Sequence, residues 1–215
     1  MAGKLSVVAT PIGNLEDITL RALRTLKEAD FVACEDTRMT RKLLSHYDIH
    51  TPAIVDGKAL TLLAQGKHVA LVSDAGTPAV SDPGLELVAK ARAAGALVEA
   101  IPGPSSLAAA VSIAGLKIPS FVFYGFLPQK KGRDTLFKEI AATKRAGIFF
   151  ESPHRILKCL ESLAKVAPVR RVGLYRELTK MYEEAIIGTP QELLDILQND
   201  PQKQKGEFVV IVEGE

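Results

Sequence analysis

Short runs of β-branched and aromatic residues alternate along the chain with stretches whose apolar positions recur at helical spacing, which predicts buried strands between amphipathic helices. Strands are predicted at LSVVAT (5–10), FVACE (31–35), HVALVSD (68–74) and ALVEAIP (96–102). Helices are predicted at ITLRALRTLKEA (18–29), TRMTRKLLSHY (37–47), PGLELVAKARAAG (83–95) and PSSLAAAVSIAG (104–115). Such a βαβα series implies a largely parallel sheet with helices on both faces. GLKIPS (115–120) separates it from a second set of strands, FVFYGF (121–126), GIFFE (147–151), RRVGLYR (170–176), YEEAIIG (182–188) and EFVVIVE (207–213). Helices near 133–145, 152–165 and 190–198 intervene. The close spacing of two strand-like runs in YRELTKMYEEAIIG predicts a hairpin, hence a mixed second sheet. The expected architecture is two α/β domains, 1–116 and 117–215, meeting at a ligand cleft.

Composition narrows the class. With 215 residues, 47% hydrophobic and 24% charged, the chain reads as an ordinary globular protein with room for two cores. No apolar run is long enough to span a bilayer and MAGKLSVVATPIGNLED has no signal-peptide pattern, so a cytoplasmic protein without membrane contact is expected. Cys34 and Cys159 are far apart and lack metal-ligand spacing, which predicts buried reduced thiols, no disulfide and no metal. A net charge of +2 does not announce a nucleic-acid binder, so any basic surface must be local.

Candidate chemistry gathers where strands end. LVSDAGTPAVSDPG (71–84) carries a buried strand into a loop of small residues, with Asp74, Ala75, Gly76 and Thr77 at the edge where open α/β sheets bind ligands. It lacks the spacing of a dinucleotide or phosphate loop, and a plain tight connection uses the same residues. VATPIGNLEDI places Pro11, Gly13 and Asn14 in a turn, and Asp17 fits a helix cap. ACEDTR places Glu35, Asp36 and Arg38 together, either as an ion-pair and capping cluster or at the ligand edge. AIPGPSS ends a strand with Ser105 and Ser106, which either cap the next helix or present hydroxyls to a ligand.

In the second half, FFESPHR carries Glu151, Ser152, His154 and Arg155 from a strand into a helix. YRELTKMYEE brings Arg176, Glu177, Lys180 and Glu184 to a turn, as a solvated charge run or as a polar wall facing substrate. FLPQKKGRDTLFK supplies Lys130, Lys131, Arg133 and Lys138, a loop suited to phosphates or simply to solubility.

The ordered motifs TPIGNLEDIT, CEDTR, LVSDAGTPAVSDPG, IPGPSS, FYGFLP, FESPHR and RELTKMYEE resemble the ribosomal RNA small subunit methyltransferase I family. That family lies within the tetrapyrrole methylase superfamily, the class III S-adenosylmethionine-dependent methyltransferases. The resemblance runs from about residue 5 to 213. It implies two α/β domains of the tetrapyrrole methylase type, a homodimer, S-adenosylmethionine held in a cleft between the domains, and 2′-O-methylation of a cytidine ribose in the decoding centre of small-subunit ribosomal RNA. Pro11, Gly13, Asp74, Ala75, Gly76, Thr77, Ser105, Ser106, Phe150, Leu178, Gly188, Thr189 and Pro190 would line the cofactor. Glu35, Asp36, Arg38, Glu177 and Lys180 would be catalytic, with Asn14, Lys130, Lys131, Arg133, His154 and Arg155 on the RNA side. Two departures bear on RNA affinity. HTPAIVDGKALTLLAQGK is shorter than the family's stretch, which carries a His- and Asn-bearing loop, and the sequence stops just after EFVVIVEGE where many members continue into a helical extension.

Methyl transfer to a ribose hydroxyl is an in-line displacement, so alignment carries much of the rate and a base or cation assists the weakly acidic oxygen. Glu35, Asp36 or Glu177 is expected to take or orient the proton, with Lys180 or Arg38 on a phosphate or oxyanion. The rival readings are a small-molecule methylase of the same fold and a non-catalytic RNA-binding assembly factor.

Overall fold

Parallel strands need crossover connections, and the helical patterns between the β-branched runs of the first half supply them, so that its strands all run parallel. The computed structural model describes residues 3–81 and 84–214, and the fold divides into two units, Met1–Ser105 and Ser106–Glu215. The first unit runs β1 (Lys4–Val8), α1 (Leu20–Glu28), β2 (Phe31–Cys34), α2 (Thr37–His46), β3 (Ala53–Val55), α3 (Ala59–Ala64), β4 (His68–Leu71), α4 (Leu85–Ala93) and β5 (Leu97–Ile101). Its sheet has the order β3-β2-β4-β1-β5, parallel throughout. Val8, Ala70 and Val72 pack on one face with Ala22 and Leu26 of α1 and Leu44 of α2. Leu5, Val69 and Leu71 pack on the other with Ala59 and Leu63 of α3 and Leu87 and Ala91 of α4. A sheet covered on both faces accounts for strands that read as continuous apolar runs.

Three local expectations are corrected. The chain between Tyr47 and His68 is not a bare connection: it holds the three-residue β3, a 3-10 turn at Asp56–Lys58 and α3, elements too short for periodicity to register. Asp17 does not cap α1; it closes a 3-10 turn at Leu15–Asp17, and Thr19 caps the helix by accepting from the Ala22 N–H at 3.0 Å. β4 stops at Leu71 rather than Asp74: the Val72 N–H still donates to Ala33 of β2, but Ser73 and Gly76 bond to Thr10 beyond the end of β1. The predicted helix start at Pro83 lies outside the described residues, and the described helix begins after Gly84, whose φ of 108° needs glycine.

The second unit runs α5 (Ser106–Ser112), β6 (Phe121–Phe126), α6 (Arg133–Ala142), β7 (Ala146–Glu151), α7 (Ile156–Val166), β8 (Val172–Arg176), β9 (Glu184–Gly188), α8 (Pro190–Asn199) and β10 (Phe208–Val212). Its sheet has the order β6-β7-β10-β8-β9. β6 and β7 are parallel and the remaining pairs antiparallel, including the expected β8–β9 hairpin. α6, α7 and α8 cover one face through Phe137, Ile140, Leu160, Leu163, Leu193 and Leu197. On the opposite face α5 lies against β10, and the buried Tyr175 hydroxyl donates to the Ala114 carbonyl at 2.5 Å. Cys34 and Cys159 are buried free thiols. Among the described residues no helix is long and apolar enough to cross a membrane.

Candidate active site

Two neighbouring strands of the first unit, β1 and β4, send the chain in opposite directions, β1 to β2 by way of α1 on one face and β4 to β5 by way of α4 on the other. Their carboxyl ends therefore frame a topological switch point, the place where parallel α/β sheets open a crevice. The loops leaving them are fastened to each other: the Thr10 N–H donates to the Gly76 carbonyl at 2.9 Å and the Gly76 N–H returns to Thr10 at 3.0 Å. The Thr10 hydroxyl adds a bond to the Ser73 carbonyl at 3.3 Å. Thr77 Oγ1 donates to the Pro104 carbonyl at 3.1 Å, tying in the chain that follows β5. Asp74 and Ala75 stand exposed on this rim while Pro11 and Gly76 are buried beneath it.

The rim depends on unusual backbone. Gly76 has a φ of 78° and a Cβ there would meet Ile12 Cγ2 at 3.2 Å. Ala79 (φ 68°) and Ser81 (φ 62°) are also left-handed without being glycine, a conformation that costs about 1–2 kcal/mol per residue. Glu177 (φ 51°) and Thr179 (φ 66°) repeat the feature in the second unit. Among the described residues only Asp48 (φ 53°) shares it elsewhere. Such strain concentrates in loops whose geometry is held for a purpose.

At the end of β2 the Arg38 guanidinium grips Asp36 through two bonds, 3.1 Å and 2.8 Å, and the Arg38 N–H donates to the same carboxylate at 2.8 Å. Together these hold the Asp36 carboxyl down at about 2 and cap α2. Glu35 beside it is exposed, and no ion pair among the described residues engages it. Asn14 and Gly13 lie exposed on the loop after β1, Asn14 capping the 3-10 turn by accepting from Glu16 at 3.1 Å. Ser105 and Ser106 are half-buried where α5 begins.

In the second unit Glu177 follows β8 and Lys180 lies in the turn before β9. Glu177 Oε1 accepts from Lys180 Nζ at 2.9 Å and from the Glu207 N–H at 2.9 Å. Lys180 also reaches Glu207 Oε2 at 2.9 Å. Burial alone pushes the Glu177 carboxyl up, yet the Glu207 N–H and the Lys180 ammonium outweigh it and hold the group below its usual range. The two carboxylates likewise overcome desolvation at Lys180 and raise its pKa. Leu178 is buried, and the buried Thr179 Oγ1 has no partner among the described residues. Gly188, Thr189 and Pro190 end β9 and open α8, where Thr189 and Glu192 form a reciprocal capping box. Phe150 is half-buried on β7.

Arg133 and Arg155 sit differently from their expected place on an RNA surface. Both converge on Glu151, whose side chain is 0% exposed, with Arg133 Nη2 at 2.5 Å from Oε2 and Arg155 Nε at 2.8 Å from Oε1. Arg133 also donates to the Pro128 carbonyl at 3.1 Å and Arg155 to that of Leu127 at 3.3 Å. Their guanidinium groups thus clamp the segment entering α6, whereas Lys130, Lys131, Lys138 and His154 remain exposed. Sequence reading missed Thr10 and Glu207, the groups that fix Gly76 and Glu177. Their partners lie 66 and 30 residues away in the chain, and no local pattern encodes such pairings. Among the described residues no cluster of His, Cys, Asp and Glu is arranged to hold a metal ion.

Residues 4–194 match the family of Tetrapyrrole (Corrin/Porphyrin) Methylases. The chain is 47% identical over 222 residues, 99% of its length and 76% of the relative's, to Ribosomal RNA small subunit methyltransferase I of Halalkalibacterium halodurans. It is 48% identical to the protein of that name from Escherichia coli O157:H7 (99% and 78% covered) and 42% to that of Thermotoga maritima (99% of both). Among solved structures, uroporphyrin-III-C-methyltransferase from Thermus thermophilus superposes with a TM-score of 0.70 at 20% identity, covering 98% of this chain and 94% of that one. A putative diphthine synthase from Entamoeba histolytica gives 0.69 at 17%, covering 99% and 93%. At such identities the shared property is the fold, two α/β units with one parallel and one mixed sheet.

Proposed function

We propose a reaction for this protein from the premise that its chain belongs to the tetrapyrrole methylase family and, within it, groups with the ribosomal RNA small subunit methyltransferases I. The reaction is methylation of the 2′-oxygen of a cytidine ribose in the decoding centre of small-subunit ribosomal RNA, carried out in the cytoplasm by a homodimer. The observation that carries this reading is identity of 42–48% over 99% of the chain with proteins bearing that methyltransferase name.

The residues present fit S-adenosylmethionine as donor. Pro11, Gly13, Ala75, Gly76, Thr77, Ser105 and Ser106 are small enough for backbone to approach a ligand, and Asp74 offers a carboxylate to its cationic groups. The Thr179 hydroxyl beside Leu178, buried and without a partner among the described residues, is a second feature suited to a bound molecule, since buried polar groups are normally satisfied. When bound, the donor supplies a methyl group on a sulfonium leaving group.

The chain's own residues supply orientation and proton handling. Asp36 and Glu177 are held ionised below the ordinary carboxylate range, which makes them weak bases and good orienting groups. Glu35 is exposed at the end of β2 and takes the 2′-hydroxyl proton at its carboxylate. Lys180 and Arg38 oppose negative charge on the acceptor, while Asn14, Lys130, Lys131 and His154 contact RNA. Arg133 and Arg155 act on RNA indirectly, by holding the Lys130–Lys131 segment.

The test is transfer of labelled methyl groups from S-adenosylmethionine to unmodified small ribosomal subunits, followed by nuclease mapping. The reading predicts label on one cytidine ribose. Label on a base, or tight donor binding with no transfer to subunits, overturns it.

A further inference from the structure

One aromatic side chain of the second unit is placed by a backbone irregularity that ordinary strand geometry would not give. β6 pairs in register with β7 through Phe123 opposite Ile148, then slips so that Phe126 stands opposite Phe150. Gly125 (φ 63°) marks the bulge. Three residues of regular strand would put Phe123 and Phe126 on opposite faces; the extra residue restores Phe126 to the side of Phe150. Both rings consequently pack edge-on against Phe150, at 5.1 Å for Phe123 and 5.2 Å for Phe126.

Phe126 packs against Phe150 yet remains 57% exposed. The chain beyond it is rigidly held. Leu127 is buried with the core of α6 and α7, and the carbonyls of Leu127 and Pro128 accept from Arg155 and Arg133, both anchored on buried Glu151. The exposed Lys130 and Lys131 follow Phe126 by four and five residues along this clamped segment. A fixed, exposed aromatic with two ammonium groups four and five residues on along the same held segment is complementary to an unpaired nucleotide, which offers a π-face and an adjacent phosphate.

We infer that Phe126 is a stacking platform for an unpaired base of the RNA substrate, with Lys130 and Lys131 taking the neighbouring phosphates. This deepens the RNA-methylation reading and rests on it. Stacking on a phenyl ring uses no hydrogen bond, so the contact tolerates any base and secures position rather than sequence.

The chain contains no tryptophan, so Phe126→Trp installs a sole tryptophan, excited selectively over the tyrosines, at the platform and Phe121→Trp, also exposed on β6, serves as control. Expected are saturable quenching of the Phe126→Trp variant by small-subunit RNA, weaker RNA affinity after adding K130A/K131A, and little response at Phe121→Trp. In steady state, Phe126→Ala should raise KM for subunits about tenfold with kcat and donor affinity unchanged, and Phe126→Tyr should restore it. Equal quenching of both reporters, or quenching by S-adenosylmethionine alone, overturns the inference. So does loss of the dimer on Phe126→Ala, which would assign the ring to a second copy of the chain. Wild-type protein that binds RNA with quenching of the Phe126→Trp variant but never methylates it would refute the reaction while leaving the platform intact. Wild-type protein that methylates normally, with Phe126→Ala indistinguishable from it, would refute only the platform.

Discussion

The two units build their polar edges by different means. In the first, Thr10 and Gly76 are joined through main-chain groups, short threonine hydroxyls add bonds to the Ser73 and Pro104 carbonyls, and Asp74 is left exposed on top. In the second, charged side chains turn inward: Glu151 draws in Arg133 and Arg155, and Glu177 draws in Lys180. Main-chain fastening leaves side chains available for a ligand and tolerates little change of backbone. Inward ion pairs instead spend the charges that sequence makes conspicuous and make the unit sensitive to loss of a single carboxylate.

That contrast is broken most severely by Glu151→Ala, which strands two largely buried guanidinium groups. Removal of one partner from a buried pair costs about 3–5 kcal/mol, so the urea midpoint of the second unit should fall sharply while donor binding to refolded protein persists. Unchanged stability would show that water replaces the carboxylate. Next in size, Glu35→Gln should lower kcat about 100-fold with S-adenosylmethionine affinity intact by calorimetry, whereas Glu177→Gln should act mainly on KM. A larger kcat loss in Glu177→Gln than in Glu35→Gln would transfer the base to the second unit.

Gly76→Ala places a Cβ in a left-handed residue and against Ile12, which should cost about 1–2 kcal/mol of stability and weaken donor binding. The smallest effect is expected at Asp36. Its carboxyl is depressed to about 2 in the fold, so the unfolded chain binds the proton more readily. The stabilisation is complete above the ordinary aspartate pKa and disappears as pH falls from about 4 to about 2. Asp36→Asn keeps a good helix cap. It should lower the neutral-pH melting temperature slightly, because the charge-dependent stabilisation is gone, and flatten the acid limb of a melting-temperature profile.

Legibility followed the same division. The strands of both sheets other than β3, the β8–β9 hairpin and the small-residue loop at Asp74–Thr77 were readable, because each is encoded by neighbours in sequence. β3 escaped because three residues carry no alternation. The roles of Arg133 and Arg155 escaped because a guanidinium looks the same in sequence whether it meets a phosphate or the buried Glu151. Phe126 carried a readable signal, the glycine inside FVFYGF, since an isolated glycine in a strand marks a bulge.

The central claim is that donor binding belongs to the main-chain rim and acceptor binding to the second unit's basic segment. The most direct measurement is calorimetric titration of S-adenosylmethionine into Gly76→Ala and into a K130A/K131A variant, with KM for small ribosomal subunits measured on both. The account predicts weakened donor binding only in Gly76→Ala, and in K130A/K131A a raised subunit KM with donor affinity unchanged. Wild-type donor affinity in Gly76→Ala, or donor binding lost with the two lysines, would contradict it.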